Sequence, residues 1–336
     1  MSKLLLYLSI ALSLQAQSKA KLYSLHDTSD LDPQKVKAEA VEYKGRKAVR
    51  ITKEGVFDDG FALIKGTDFQ DGTIEVDLAA KITGTPPPGL RMPGFLGVAF
   101  RARNDGSRYE LLYVRPGNAR SPDQAIRNHA LQYTSEPDFG WHELRTQWPW
   151  VYEGHADLQL EEWIHVKIEV AGRTAKLYVN GEAQPGLVVD GLKGQDLHGA
   201  VALWSYPKED AYFSNLRVTP APAQAVKNGG EAAGSWELKA TTDQSPLKGT
   251  LKLTREGGAL KGMWSPAPGE EHPVTGTWRD GYVEFSFPAS WIVDQSGKPK
   301  NEVFNFAGWI DGNAAKGRIR VPLSADGQWS ATRQQP

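Results

Sequence analysis

Residues 162–182 read EWIHVKIEVAGRTAKLYVNGE, and their side chains alternate between apolar and polar from position 164 onward. The apolar side chains fall at every second position: Ile164, Val166, Ile168 and Val170. A period of two predicts a β-strand with one buried face. Residues 174–179 predict a second strand, which runs into Asn180-Gly181, a dipeptide typical of a hairpin turn. The stretch therefore predicts antiparallel β-structure.

The same alternation recurs along residues 21–219. It is found in GTIEVDLAAK at 72–81, FLGVAFRAR at 95–103, GAVALWSY at 199–206 and AYFSNLRVT at 211–219. Such strands form antiparallel sheets that bury one face each, and two sheets stacked on their buried faces make a sandwich. We therefore predict an all-β sandwich over residues 21–219.

A different pattern of strands begins after a change of composition at residues 220–234. Residues 220–234 are rich in Pro, Ala and Gly without an apolar period, which is typical of a linker. From 235 to 336 many short strands succeed one another, with tight turns predicted at Gly257-Gly258, Asp280-Gly281 and Asp311-Gly312. Such short connections predict a small up-and-down antiparallel barrel.

Composition excludes several classes of function. The 336 residues suit two domains, and the net charge of -1 without a basic run argues against a nucleic-acid partner. Because cysteine is absent, a disulfide scaffold, a thiolate nucleophile and a Cys-based zinc site are excluded.

The N-terminal residues 1–18, MSKLLLYLSIALSLQAQS, predict a secretory signal peptide. Lys3 precedes an apolar run at 4–14, and small and polar residues follow that run. The run is too short to span a bilayer comfortably, so we expect no membrane span. A periplasmic or secreted location is expected.

The barrel resembles the lipocalin-like (calycin-like) family. Gly234-Ser235-Trp236 on its first strand and Arg333 on its last strand carry the resemblance. The resemblance implies that the Arg333 side chain packs over the indole of Trp236 and closes one end of the barrel. A packed interior is expected, because six tryptophans are enough to fill it: Trp236, Trp264, Trp278, Trp291, Trp309 and Trp329.

The larger domain resembles the concanavalin A-like lectin/glucanase superfamily and, within it, the 3-keto-disaccharide hydrolase-type domain. The resemblance is carried by residues 71–79, 94–116, 162–182 and 199–219, and it implies a jelly-roll sandwich. Glucanases of this superfamily carry Glu-x-Asp-x-x-Glu on one strand. Here Glu75 and Asp77 begin that pattern, but Ala80 stands where the second Glu is expected. An ordinary laminarinase-type mechanism is therefore not predicted.

The connection at 115–145, RPGNARSPDQAIRNHALQYTSEPDFGWHELR, is dense in aromatic and hydrogen-bonding side chains. Helical turns are predicted at 122–127 and a strand at 128–134. Alternation predicts that Arg101 and Arg103 share a face that is not in the core, and that Tyr113 and Arg115 do the same.

Sugars require aromatic surfaces for their ring faces and paired hydrogen bonds for their hydroxyl groups. We therefore predict an oligosaccharide or glycoside ligand bound in a shared groove. The candidate substrate-binding residues are Arg101, Arg103, Tyr113, Arg115, Asn118, Arg127, Asn128, Gln132, Tyr133, Trp141 and His142. The alternative is that Trp148 and Trp150 plug the sandwich edge while the charges pair on the surface.

Cleavage of a glycosidic bond needs a proton donor and an acceptor. Asp123, His129 and Glu110 are the candidate catalytic residues, from a wider set in the same region that includes Glu153. Asp123 could equally cap the helix, and His129 could be a structural histidine.

No cofactor is expected, and no His-x-His or His-x-x-x-His pair indicates a metal site, although a structural calcium ion stays open. Three functions remain. The first is hydrolysis of a (keto-)disaccharide or related glycan. The second is a non-catalytic glycan-binding module of the cell envelope. The third is a structural envelope protein without a ligand.

Overall fold

The computed structural model describes residues 19–53, 59–85, 91–194, 196–207, 209–224, 230–241, 246–279, 281–288, 298, 303–320 and 327–335. The predicted signal peptide, the middle of the predicted linker and Trp291 lie outside these ranges. Over the described ranges, no helix has the length and apolar character needed to cross a membrane.

Antiparallel strands make up the first part of the chain. They are β1 Lys21–Tyr23, β2 Leu31–Gln34, β3 Lys37–Tyr43, β4 Arg46–Thr52, β5 Gly60–Ile64, β6 Asp71–Ile82, β7 Leu96–Ala102, β8 Tyr109–Val114, β9 Leu131–Glu136, β10 Glu153–Gly154, β11 Ile164–Ala171, β12 Thr174–Val179, β13 Leu187–Val189, β14 Ala200–Ser205 and β15 Glu209–Ala221. As predicted, β11 and β12 pair directly, with Val166 opposite Val179.

The strands form two stacked sheets. In the part of the chain that the structure describes, one sheet has eight strands in the order β13-β12-β11-β6-β15-β4-β3, with β1 on β15, and the other has seven in the order β10-β9-β8-β7-β14-β5-β2. The main core lies between them and includes Ile74, Val98, Leu112 and Phe213. As the alternating pattern of β11 predicts, its apolar face is buried in this core: Ile164, Val166, Ile168 and Val170.

Strand β8 is buried along its whole length, on both of its faces. Its inner side chains join the main core, whereas Tyr109, Leu111 and Tyr113 belong to a second apolar cluster on the face turned away from that core. We call this face of the seven-stranded sheet the outer face. A sheet whose outer face is also covered can hold a cavity there.

The connection between β8 and β10 carries three short helices: α1 Pro116–Ala119, α2 Gln124–Arg127 and α3 Trp141–Gln147. Helix α2 is shorter than predicted. The Asp123 carboxylate caps it by accepting a hydrogen bond from the Ala125 amide (2.8 Å), and Asn128 ends it. The next strand, β9, therefore begins at Leu131 rather than 128.

The second part of the chain is a closed barrel, which confirms the predicted fold class. Its strands are β16 Gly234–Thr241, β17 Leu247–Glu256, β18 Ala259–Ser265, β19 His272–Arg279, β20 Tyr282–Pro288, β21 Val303–Asp311, β22 Ala314–Arg320 and β23 Gly327–Arg333. The Arg333 guanidinium lies 4.2 Å from the Trp236 ring centre, as the resemblance implies. Trp236, Trp264 and Trp329 are buried inside the barrel.

The barrel contacts the sandwich through a buried polar cluster. Glu284 of β20 is fully buried, pairs with Lys193 and accepts a hydrogen bond from the Tyr152 hydroxyl. Arg279 of β19 donates to the Leu192 carbonyl (2.7 Å). The barrel is thereby anchored beside Tyr152, one residue before β10.

Candidate functional site

The outer face of the seven-stranded sheet bears an aromatic surface. Tyr113 of β8 lies 4.9 Å from Trp204 of β14 between ring centres, and Tyr206 and Phe95 continue the same group. Alternation places these side chains outward because their neighbours along β8 and β14 point into the main core. The result is an apolar floor that does not belong to the sandwich core.

A cavity of about 560 Å³ lies over this floor. Its walls come from strands β8, β9 and β14, from the β8–β10 connection, and from the segments just before β5 and β7. They consist of Asp59, Arg91, Met92, Pro93, Phe95, Leu111, Tyr113, Arg115, Asn118, Ile126, His129, Thr134, Glu136, Trp141, Arg145, Trp204 and Tyr206. The volume falls within the range of small-molecule sites, and the lining combines aromatic side chains with a few charged ones.

One end of the cavity is basic. We call Arg91, Arg115, His129 and Arg145 the basic end. Three of these converge on the buried carboxylate of Glu153, which lies behind them on β10: His129 Nδ1 is 2.8 Å from Oε1, Arg145 Nε is 3.1 Å from Oε2, and Arg115 Nη1 is 3.5 Å from Oε1.

The Glu153 carboxylate is held in its charged form. Burial, the largest single influence, raises the pKa of Glu153, but the contacts with His129 and Arg145 outweigh it and bring this pKa below its ordinary value. Glu153 thus carries a negative charge at neutral pH.

Arg115 is fixed by further hydrogen bonds. Its guanidinium donates to the Tyr113 hydroxyl (2.7 Å), to the Gln132 side-chain oxygen (3.1 Å) and to the His129 carbonyl (3.0 Å). Asn118 donates to the same His129 carbonyl (3.3 Å). These bonds tie β8, α1 and β9 together around one buried cation.

The other end of the cavity is acidic. Asp59 and Glu136, which we call the acidic end, both line it, and the Tyr109 hydroxyl donates to Asp59. Burial raises the pKa of Glu136 to about 7, with the charges of Asp59 and Asp138 adding to the effect. Glu136 therefore titrates near neutral pH.

The two ends are separated along strand β9. Gln132 contacts Arg115 and lies opposite Tyr113, whereas Glu136 lies opposite Tyr109. Four residues of strand span about 13 Å. A ligand in this cavity therefore meets positive charge at one end and carboxyl groups at the other.

The structure brings together part of the sequence-predicted set. Tyr113, Arg115, Asn118, His129 and Trp141 line the cavity. Gln132 lies directly behind Arg115 with its side chain fully buried.

Arg101 lies elsewhere, and the expected face shared with Arg103 does not form. Strand β7 has an irregular register between its pairs with Ala200 and Ala202, and Arg101 adopts a left-handed φ of 51°. This bulge turns the guanidinium inward, where it donates to Asp71 (3.0 Å) and to the Gly172 carbonyl (2.7 Å). Arg103 pairs with Asp196 at the surface.

Glu110 and Tyr133 are buried on the inner side of the same sheet. The Tyr133 hydroxyl contacts the Glu110 carboxyl at 2.5 Å and accepts from the Lys193 amide, and the Gly194 amide donates to Glu110 (2.9 Å). Burial raises the pKa of Glu110. Both residues face away from the cavity because β8 and β9 alternate.

The remaining predicted residues serve the connection itself. Asp123 caps α2, Asn128 accepts from the Gln124 side chain (2.6 Å), and Arg127 donates to the Ser121 carbonyl (2.6 Å). His142 is exposed beside Trp141. These contacts match the capping alternative for Asp123.

Several residues that line the cavity were not among the predicted ones, including Asp59, Arg91, Glu136, Arg145 and Trp204. Alternation could have found Glu136, since Gln132 was a candidate and positions 132, 134 and 136 share a face of one strand. Asp59 comes from a distant part of the chain, and no local pattern in the sequence indicates it.

No protein-family model matches the chain, and no curated protein matches it. Solved structures do resemble it. The carbohydrate binding module CBM66 from Bacillus subtilis is 15% identical with a TM-score of 0.36, covering 56% of this chain and 98% of its own. A Bacillus subtilis protein of unknown function with a galectin-like fold is 12% identical with a TM-score of 0.42, covering 62% and 99%.

A third similar structure is a GlcNAcα1-4Gal-releasing endo-β-galactosidase from Clostridium perfringens. It is 12% identical with a TM-score of 0.38, and the match covers 96% of this chain and 98% of that one. At this level of similarity, the fold assignment rests on the strand pairing itself.

Proposed function

We propose that the cavity on the outer face binds a saccharide. The observation that carries this proposal is the pairing of an aromatic floor, Tyr113 and Trp204, with charged hydrogen-bonding groups in one cavity of about 560 Å³. Aromatic faces suit the C–H faces of sugar rings, and fixed Arg and Asn groups suit hydroxyl groups. A ligand-free structural role predicts a collapsed connection instead.

Trp141 offers the cleanest test of binding. Its side chain is 47% exposed at the cavity wall, so its loss should leave the fold intact. We expect Trp141→Ala to weaken saccharide binding by about tenfold or more, measured by calorimetry on hits from a glycan array. Trp163→Ala, which removes a half-buried tryptophan beside the other sheet, is the matched control. Equal affinity of both variants and the wild type would contradict the proposal.

A second candidate function is hydrolysis of a glycosidic bond in a (keto-)disaccharide or related glycan. The raised pKa of Glu136, about 7, favours it, because a carboxyl group protonated near neutral pH can act as a general acid.

Sugar release measured against pH separates the two functions. If Glu136 is the acid, turnover falls as pH rises through about 7, because the proton it must donate is lost. Glu136→Gln should remove turnover, whereas Asp123→Asn, outside the cavity, should not. Binding without release, in the wild type at any pH, would limit the protein to a glycan-binding module.

A further inference from the structure

The charges at the basic end do not cancel. Arg115 and Arg145 both contact Glu153, so one carboxylate faces two permanent cations before His129 is counted. Arg91 adds a third permanent cation to the lining, and its guanidinium contacts the Gly117 carbonyl (3.1 Å) rather than that carboxylate. A cavity end with this excess of positive charge attracts an anion.

Arg145 has a hydrogen-bond donor that Glu153 does not use. It reaches Glu153 with Nε and Nη2, and within the described residues its Nη1 has no hydrogen-bond partner. About a third of its side chain is exposed, at 35%, and it lines the cavity beside Trp141. A planar guanidinium with one free edge is suited to a carboxylate.

We propose that the saccharide carries a carboxylate, as a uronic acid does, and that this carboxylate binds at the basic end between Arg91 and Arg145. The inference rests on the proposed saccharide-binding function and narrows its substrate class. The orientation of the saccharide follows from the acidic end of the cavity. The Asp59 carboxylate at that end would repel the same group, so the acidic sugar ring points to Arg145.

The test compares acidic with neutral sugars. The intact chain is titrated with oligogalacturonate, oligomannuronate and hyaluronan tetrasaccharides, and with cellotetraose, xylotetraose and laminaritetraose as neutral probes. We expect binding to at least one uronate probe and about tenfold weaker binding to its methyl ester, which removes the charge but keeps the ring. Added salt should weaken the binding of the acid more than that of the ester.

Two variants assign the effect to the basic end. Arg145→Gln should bring the ratio of acid to ester affinity close to one, whereas Trp141→Ala should lower both affinities and keep the ratio. Binding to neutral sugars alone, or equal binding of acid and ester, would overturn the carboxylate subsite and leave saccharide binding standing. If the protein bound none of the acidic and none of the neutral probes, that result would count against both proposals.

Discussion

Two buried charge networks lie on opposite sides of the seven-stranded sheet. The inner one joins Arg101 to Asp71, and its remaining bonds go to the backbone: Arg101 donates to the Gln70 and Gly172 carbonyls, and Asp71 accepts from the Gly172 and Gln224 amides. The outer one joins Arg115, Arg145 and His129 to Glu153 beside a cavity.

The difference between the networks is how their charges are compensated. The inner pair is one cation against one anion, closed off from water by β6, β7 and the turn at Gly172. The outer network has more cations than anions, and it borders open space. Closed and balanced charges stabilise one conformation, whereas open and unbalanced ones retain the capacity to bind a ligand.

Removal of Arg101 should have the largest effect. Arg101→Met leaves the Asp71 carboxylate buried without its cation, and we expect a loss of about 3–5 kcal/mol in the free energy of unfolding, measured by denaturant titration. Arg103 lies two positions after Arg101 and pairs with Asp196 at the surface. Arg103→Met should therefore lower the free energy of unfolding by less than about 1 kcal/mol. Similar losses for both variants would mean that burial does not distinguish the two pairs.

Glu136→Gln should have an intermediate effect that depends on pH. The folded pKa of about 7 lies above the ordinary value of about 4.3, so the folded protein holds the proton more tightly and loses stability as pH rises between these values. The glutamine variant lacks this loss. Its stability relative to the wild type should therefore rise by up to about 3 kcal/mol from pH 4 to pH 8.

Urea titrations at several pH values measure this difference. Asp157→Asn is the control, because Asp157 is an exposed carboxylate that pairs with Arg120 at the surface. A flat difference between Glu136→Gln and the wild type across this range would show that Glu136 titrates normally in the folded protein.

The contrast between the networks also explains what could be predicted from the sequence. The alternating strands and hairpin turns were predictable because they depend on neighbours in the chain. The contact of Arg333 with Trp236 was implied only by the resemblance of the barrel to the lipocalin-like family. The placement of Tyr113 and Arg115 on the outer face followed from a period of two.

Arg101 shows where that reasoning ends. A single bulge with a left-handed φ inverts the face of every residue after it, and arginine carries no signal for this conformation, as glycine would. The acidic end could not be predicted from the sequence for a different reason. The pKa of Glu136 is set by burial and by Asp59, which reaches it only through the folding of distant strands.

Arg145→Gln should have the smallest effect on stability, although it belongs to a network with a buried carboxylate. Glu153 keeps Arg115 as a cationic neighbour after this substitution, and the Arg145 side chain is partly in water, so its ion pair contributes little. We expect a loss below about 1 kcal/mol by thermal or urea unfolding. A loss as large as that of Arg101→Met would show that Arg145 is needed to keep Glu153 buried, and the outer network would then be structural like the inner one.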